Sequence, residues 1–342
     1  MTKEFNSLQI KVNTLLNKYS STISNKKLAN IVTYSLDGGK RLRPIIILSI
    51  SHYLDIYDTN RDLCILIVEL LHSASLILDD LPCMDNDILR RGKETVHYKY
   101  GIKPAYVTSN FMIGAAINNL FEIVGNLQKE SMVLNNPHNH KFKAIIHKII
   151  DIVFTQNNYT SIGQVVDLSN FDLNSTSTIH HTVVITIKKN EFITKFLNKS
   201  IATKTSATKT SATKTSSTID KIISLSLKTY PLFYMSFQLP LLVSNSPYDI
   251  DFKQIEYIAF TFSLLFQIAD DFEDYEKDKK IDKNNSFIKI LDKDSAFKLY
   301  SKSVTEFMIL LKMLPKIDLE IFDYIVQMLN KKINLYHTHE QN

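Results

Sequence analysis

The sequence predicts an all-α fold, and two observations favour this class. The 342 residues include only seven glycines and eight prolines, which leaves few turn residues for a many-stranded sandwich or barrel. Apolar residues also recur at helical spacing in several long segments. With 44% hydrophobic and 22% charged residues, the chain can bury a substantial core. We expect one domain, residues 1–342, built as a bundle of roughly ten or more helices.

The helical patterns can be followed along the chain. The first covers residues 7–36, and Gly38-Gly39 marks its end, because glycine commonly follows a helix C-terminus. Pro44 suits the first turn of the next helix, residues 44–53. The apolar run 61–78 is too long for a strand. Further patterns cover residues 104–125, 142–170, 218–230, 232–244, 251–276, 294–312 and 317–336.

Two segments have the composition of insertions. Residues 132–141 are rich in Asn and His, and without a second ligand cluster they favour a solvated loop over a metal site. Residues 175–218 contain three tandem copies of ATKTS, at 202–206, 207–211 and 212–216. Their Ser, Thr, Lys and Ala side chains offer little to bury, which predicts a mobile, low-complexity surface segment.

Charge and cysteine content exclude several classes of protein. The net charge is +5, but residues 181–219 hold seven lysines against one glutamate, so the rest of the chain sums to −1. A basic groove for nucleic acid is therefore not supported. Two cysteines cannot form a disulfide framework, which favours the cytoplasm. The N-terminus lacks a signal-peptide core, and the longest uncharged stretches are too polar to predict a membrane span.

The few arginines concentrate in two motifs. The chain has five arginines and thirty-five lysines. Four of the five arginines lie in GGKRLRP (38–44) and LRRG (89–92). Because the planar guanidinium fork suits phosphate oxygens, the two motifs predict a phosphate-bearing ligand.

Two acidic motifs follow apolar helices. Asp79, Asp80 and Asp85 form DDxxxxD, and Asp270, Asp271 and Asp274 form DDxxD. In the second motif, the aspartates and Gln267 share one helix face. Clustered carboxylates repel one another unless a cation neutralises them, and oxygen-only ligands suit Mg²⁺. The two motifs predict a magnesium-dependent site.

Together these motifs resemble those of the trans-polyprenyl diphosphate synthases. GGKRLRP, ELLHSASLILDDLPCMDNDILRRGK (69–93), GQVVDL (163–168), LKT (227–229) and FQIADDFED (266–274) occur in the order seen in that family. The resemblance implies the isoprenoid synthase fold, a single bundle around a deep central apolar cavity, usually as a homodimer. It also implies a prenyltransferase that condenses isopentenyl diphosphate with dimethylallyl, geranyl or farnesyl diphosphate.

The resemblance assigns roles to individual residues. It implies two or three Mg²⁺ ions per site, replaceable by Mn²⁺, held by Asp79, Asp80, Asp85, Asp270, Asp271 and Asp274. It implies that the allylic diphosphate contacts Arg90, Lys228, Thr229, Gln267 and Lys277. It implies that isopentenyl diphosphate contacts Lys40, Arg43, His72 and Arg91. Gln164 and Asp167 would line the site, and the small residues Ala74 and Ser75 would leave room for a geranylgeranyl product.

The sequence departs from the family pattern in places. Leu78 stands where most members have histidine, and the segment after the second motif is eroded to KDKKIDKNN, so Lys283 competes with Lys277 for the diphosphate. The alternatives are a farnesyl diphosphate synthase and a non-catalytic partner subunit, which would be marked by loss of an aspartate motif. A terpene cyclase normally lacks GGKRLRP and RRG, and both are present here.

Overall fold

The computed structural model describes residues 2–52, 54–133, 140–168, 178–201, 209–244, 251–275, 286–314, 317 and 319–339. Within these ranges the chain forms fifteen helices and one short hairpin, which confirms the all-α prediction. The helices of the first half are α1 (Thr2–Ser21), α2 (Lys26–Leu36), α3 (Leu42–Ser51), α4 (Asp58–Asp79), α5 (Val96–Tyr100), α6 (Ile102–Val133) and α7 (His140–Leu168). Those of the second half are α8 (Thr178–Lys188), α9 (Glu191–Ile201), α10 (Lys209–Ser226), α11 (Tyr230–Leu242), α12 (Phe252–Glu273), α13 (Phe287–Leu291), α14 (Lys293–Leu311) and α15 (Leu319–His339).

The chain divides into two compact units. The first comprises Met1–Asn157 and Met235–Tyr248, and the second comprises Asn158–Tyr234 and Asp249–Asn342. The sequence predicted one domain over residues 1–342, and that remains a prediction.

The first unit is built around α3 and α4. Every residue of α3 is buried, and α4 packs against both α3 and α6. The apolar run predicted to form one helix is buried almost without interruption from Leu63 to Leu71. Burial of a large apolar side chain contributes roughly 1.5–3 kcal/mol to stability. The buried run therefore fixes the orientation of α4 and, with it, the position of the acidic C-terminal end.

The second unit is built around α12. This helix packs against α14 and α15. Aromatic rings join the three helices: the Phe262 and Phe307 centroids lie 5.0 Å apart, and those of Phe307 and Phe322 lie 5.9 Å apart. These contacts hold the helix that ends at the second acidic motif.

A two-stranded hairpin follows the first acidic motif, where the sequence predicted no strands. Leu89–Arg90 (β1) pairs antiparallel with Lys93–Glu94 (β2). The two residues between the strands, Arg91 and Gly92, have φ values of 56° and 75°. Positive φ at both central residues is the type I′ geometry that suits a two-residue hairpin, which accounts for the glycine of RRG.

The segment predicted as a low-complexity insertion, residues 175–218, contains regular structure. Helices α8 and α9 lie within it, and α9 buries Ile193, Phe196 and Leu197. The mobile low-complexity insertion at residues 175–218 stays a prediction, and the described part of this segment contains these two helices. Residues 202–208 of the repeat lie outside the described residues, as does most of the predicted Asn/His-rich loop (134–139 of 132–141). Among the helices the structure describes, none is long and apolar enough to cross a membrane.

Candidate active site

The first acidic motif lies at the C-terminal end of α4. Asp79 is the last residue of the helix, and Asp80 follows it as the C-cap. Their exposed fractions are only 5% and 3%. The peptide N–H of Asp85 donates to the carbonyl of Asp79 across 2.9 Å, so the loop after the helix turns back over its end. Asp85 itself is exposed.

Two buried carboxylates at this position oppose ordinary helix electrostatics. The C-terminus carries the negative end of the helix dipole and favours cations, yet the last turn of α4 has no basic residue. Burial raises the pKa of Asp80 to about 6, and Arg90 opposes this shift by an ion pair with the carboxylate. A buried carboxylate in this setting binds a further cation favourably, because the cation offsets both penalties.

A cationic cluster lies in the same unit. The Nη1 atom of Arg43 lies 3.3 Å from Nε2 of His72. Burial, followed by the charges of Arg43 and Arg91, lowers the pKa of His72 well below its usual value, so its imidazole is neutral at physiological pH. Arginine guanidinium groups beside a neutral imidazole provide charged hydrogen-bond donors for a phosphate.

The backbone conformation and the close packing explain why glycine occupies positions 38 and 39. Gly38 and Gly39 have φ values of 86° and 91°, which glycine adopts without strain. A Cβ atom on Gly39 would lie only 2.4 Å from Nη1 of Arg91. Arg91 also donates from Nη1 to the carbonyl of Gly38 across 3.2 Å. The glycine pair therefore allows the guanidinium of the RRG hairpin to lie directly against the GGKRLRP loop, beside Lys40.

The second acidic motif lies at the C-terminal end of α12. Asp270 and Asp271 are in its last turn and Asp274 is the C-cap, again with no basic residue in that turn. Asp271 is buried and accepts the peptide N–H of Phe287 across 2.7 Å. Its other oxygen lies 3.5 Å from Nε2 of Gln267. Asp271 thus fixes the start of α13, whereas Asp270 and Asp274 are more exposed.

Three further predicted residues belong to the second unit. The hydroxyl of Thr229 donates to the side-chain oxygen of Gln267, which connects the α10–α11 turn to α12. A Cβ atom on Gly163 would lie 2.4 Å from the backbone of Leu227 and Lys228. The glycine of the GQVVD motif therefore lets that turn approach α7, and it brings the next residue, Gln164, near Lys228.

The remaining predicted residues are placed as follows. Ala74 is buried in α4, and its carbonyl accepts the hydroxyl of Ser109 from α6 across 3.1 Å. Ser75 is half-buried. Asp167 lies on α7, but its side chain is outside the described residues, and so are Lys277 and Lys283.

Sequence reasoning missed two charged residues. Glu69 forms a buried ion pair with Arg41 at 3.1 Å, and Lys332 of α15 forms ion pairs with Asp270 and Glu273. A charged residue inside the apolar run 61–78 was a signal for Glu69, because buried charges are normally paired. Nothing local marks Lys332, whose partners lie about sixty residues earlier.

The donor set fits magnesium. Within the described ranges, no group of three or more His, Cys, Asp or Glu side chains converges as a metal site. Mg²⁺, however, is usually bound by one or two carboxylates, and substrate phosphates and water complete its octahedron. Each acidic motif offers such carboxylates, and their oxygens match a hard cation.

Comparisons with known proteins point to one family. The family profile described as polyprenyl synthetase matches residues 25–217, more than half of the chain. Geranylgeranyl pyrophosphate synthase 6, mitochondrial, of Arabidopsis thaliana is 44% identical over 82 residues, 24% of each chain. A farnesyl diphosphate synthase of Buchnera aphidicola is 44% identical over 84 residues, 25% of this chain and 29% of that protein. The matched region thus spans about a quarter of these relatives.

A solved structure extends the likeness to the whole fold. The geranyltransferase of Legionella pneumophila superposes with a TM-score of 0.68 at 20% identity. The superposition covers 97% of this chain and 98% of that one.

Proposed function

The chain belongs to the polyprenyl synthetase family, and we propose that it is a magnesium-dependent prenyltransferase. Its substrates would be isopentenyl diphosphate and an allylic diphosphate (dimethylallyl, geranyl or farnesyl). Its product would be a short all-trans polyprenyl diphosphate, with geranylgeranyl diphosphate as the main one. Farnesyl diphosphate is the alternative product.

One observation carries the proposal: α4 presents two different binding chemistries two turns apart. His72, which contacts Arg43, lies seven residues before Asp79, a rise of about 10.5 Å along the helix. The cationic end suits a diphosphate bound directly, and the acidic end suits one bound through a cation. A condensation of two diphosphates requires both, whereas a cyclase with one diphosphate does not.

The acidic motifs would hold the metal. In the first unit Asp79 and Asp80 would be its ligands, with Asp85 from the loop. In the second unit Asp270 and Asp274 would be the ligands, and Asp271 would support them through α13. When bound, Mg²⁺ supplies positive charge that stabilises the leaving diphosphate.

The chain's own residues contribute binding and orientation. Arg90, Lys228 and Thr229 would hold the allylic diphosphate, and their positive charge and donors act most strongly as the C–O bond breaks and charge accumulates on the leaving group. Lys40, Arg43 and Arg91 would hold isopentenyl diphosphate so that its double bond attacks the allylic carbon. Apolar walls would exclude water that could capture the allylic cation.

A second copy of this chain is the proposed partner. Helix α6 exposes large apolar side chains: Ile102 is 54%, Tyr106 57%, Val107 59% and Phe121 57% exposed. From residue 104 to 121 this helix has no charged residue. Such a face is more typical of an interface than of a solvated surface. We expect a dimer in analytical ultracentrifugation, and Phe121→Asp should shift it toward the monomer; a wild-type monomer would contradict the proposal.

The proposed compartment is the cytoplasm. Both cysteines are free, Cys64 buried and Cys83 exposed, which suits a reducing environment. A fractionation experiment with an antibody to the chain tests this proposal directly.

The decisive experiment is a product assay. Purified protein is incubated with labelled isopentenyl diphosphate, Mg²⁺ and each allylic primer, and the chain length of the products is measured. We expect Asp79→Ala and Asp270→Ala each to lower turnover by several powers of ten. Asp58→Ala, at the exposed opposite end of α4, is the matched control and should remain close to wild type. Full activity in EDTA, or no product from any primer, would contradict the proposed function.

A further inference from the structure

Lys332 belongs to the last helix, α15, but its side chain contacts the second acidic motif. Its ammonium group forms ion pairs with Asp270 Oδ1 and Glu273 Oε2, both at the end of α12. Only 8% of Lys332 is exposed. A single buried cation is therefore held between two carboxylates, one of which is a proposed metal ligand.

The surroundings keep this lysine charged. The ion pairs with Asp270 and Glu273 favour the ammonium form, although the side chain is largely buried. The ammonium also lies 5.8 Å from the centre of the Phe266 ring, one turn before Asp270. The partner carboxylates keep side-chain exposures of 32% and 50%, so solvent still reaches the motif.

We propose that Lys332 is a tethered counter-ion of the second aspartate motif, which neutralises Asp270 before metal binds and sets the divalent-ion concentration needed to load the motif. This inference rests on the proposed function, because it takes Asp270 as a metal ligand. An ammonium on Oδ1 of Asp270 occupies a ligand position and repels a doubly charged ion nearby. Loading therefore requires the ammonium to move away or to share the carboxylate.

A purely structural role leads to a different result. If the ion pairs only tie α15 to α12, removing the charge would lower stability and leave metal affinity unchanged. The two roles are separated by measuring metal binding without substrate and without turnover.

The experiment is a Mn²⁺ titration of the substrate-free protein, followed by electron paramagnetic resonance. Lys332→Met and Lys332→Gln should each tighten binding at one class of site by roughly tenfold, because a nearby positive charge is removed. Lys332→Arg keeps the charge and should remain within about twofold of wild type. Lys331→Met removes the same charge from the exposed neighbouring position and is the matched control. Adding Asp270→Asn to Lys332→Met should abolish the gain.

The outcomes distinguish this inference from the proposed function. Unchanged or weaker Mn²⁺ binding in both neutral variants, with a native circular-dichroism spectrum, would overturn the role of Lys332. If the wild-type protein nevertheless makes prenyl diphosphates, the proposed function is retained and only the counter-ion role of Lys332 is rejected. Tighter Mn²⁺ binding in a protein that makes no product from any primer would support the counter-ion and remove the function.

Discussion

The buried ion pair between Arg41 and Glu69 allows a quantitative prediction. Arg41 has φ = 56° and lies within the GGKRLRP loop, and Glu69 lies on α4. Their side chains are each 3% exposed, and Nη1 of Arg41 lies 3.1 Å from Oε2 of Glu69. The guanidinium also donates to Asn13 Oδ1 across 2.9 Å and to the carbonyl of Leu36. Each of the three guanidinium nitrogens therefore donates to an acceptor within the protein.

Removing the carboxylate leaves the cation buried and uncompensated. Glu69→Ala should lower the free energy of unfolding by about 3–5 kcal/mol, the usual result when one partner of a buried pair is lost. With a urea m-value of about 2–3 kcal/mol per M, the midpoint should fall by roughly 1–2.5 M. Arg41→Met/Glu69→Leu, which leaves no buried charge, should be more stable than Glu69→Ala.

The matched control is the more exposed pair on the same helix. Asp62 contacts Arg61 at 2.7 Å, with side-chain exposures of 36% and 14%. Breaking it with Asp62→Ala should cost only about 0–1 kcal/mol. Because Arg41 lies between Lys40 and Arg43, Glu69→Ala should also raise the KM for isopentenyl diphosphate. The reasoning is refuted if Glu69→Ala lowers the free energy of unfolding by less than about 1 kcal/mol. It is also refuted if Arg41→Met/Glu69→Leu lowers this free energy by the sum of the losses in its two single variants.

Three further predictions concern pH, the repeat and product length. The pKa of His72 is held well below 6.5, so as the pH is lowered through about 6.5 the unfolded chain binds a proton there and the folded chain does not. The free energy of unfolding should therefore decrease as the pH is lowered. His72→Gln should flatten this part of the stability curve in urea titrations from pH 8 to 5. Deleting Ala202–Ser216 removes the repeat, including the first eight residues of α10, but no residue assigned to the site, so turnover should stay within a few-fold. Lys228→Ala should instead raise the KM for the allylic substrate. If deleting the repeat abolishes turnover while Lys228→Ala leaves this KM unchanged, Lys228 is wrongly assigned. Ala74→Phe should shift the product to farnesyl diphosphate, and Ser75→Phe should do so with less loss of stability because it is half-buried. A wild-type enzyme that already stops at farnesyl diphosphate would contradict the product assignment.

Local sequence patterns predicted the helices well where apolar spacing was long. The run 61–78 became α4 (Asp58–Asp79) and the run 251–276 became α12 (Phe252–Glu273). Helix α9 was missed, although Ile193, Phe196 and Leu197 follow helical spacing. The neighbouring lysines and the ATKTS repeat concealed that pattern. The hairpin was missed because two-residue strands have no periodicity to detect.

Local spacing predicted only contacts between neighbours in sequence, whereas the family resemblance also grouped Arg43 with His72, whose side chains lie 3.3 Å apart. The ion pair between Arg90 and Asp80 joins motifs ten residues apart, and both were recognised from the sequence. The pair between Lys332 and Asp270 depends on the packing of α15 against α12, and no local pattern encodes it. Tertiary packing therefore supplies a charge that a motif search does not find.

The two acidic motifs solve one electrostatic problem in different ways. Each places carboxylates at the negative end of a helix, where they are destabilised before any metal binds. In the first motif the compensating cation is Arg90, from the adjacent hairpin, and in the second it is Lys332, from the last helix. Arg90 is itself a proposed diphosphate ligand, so substrate binding can draw it away from Asp80. Lys332 has no such assigned ligand, so its charge should oppose metal loading at the second motif until the ion itself displaces it.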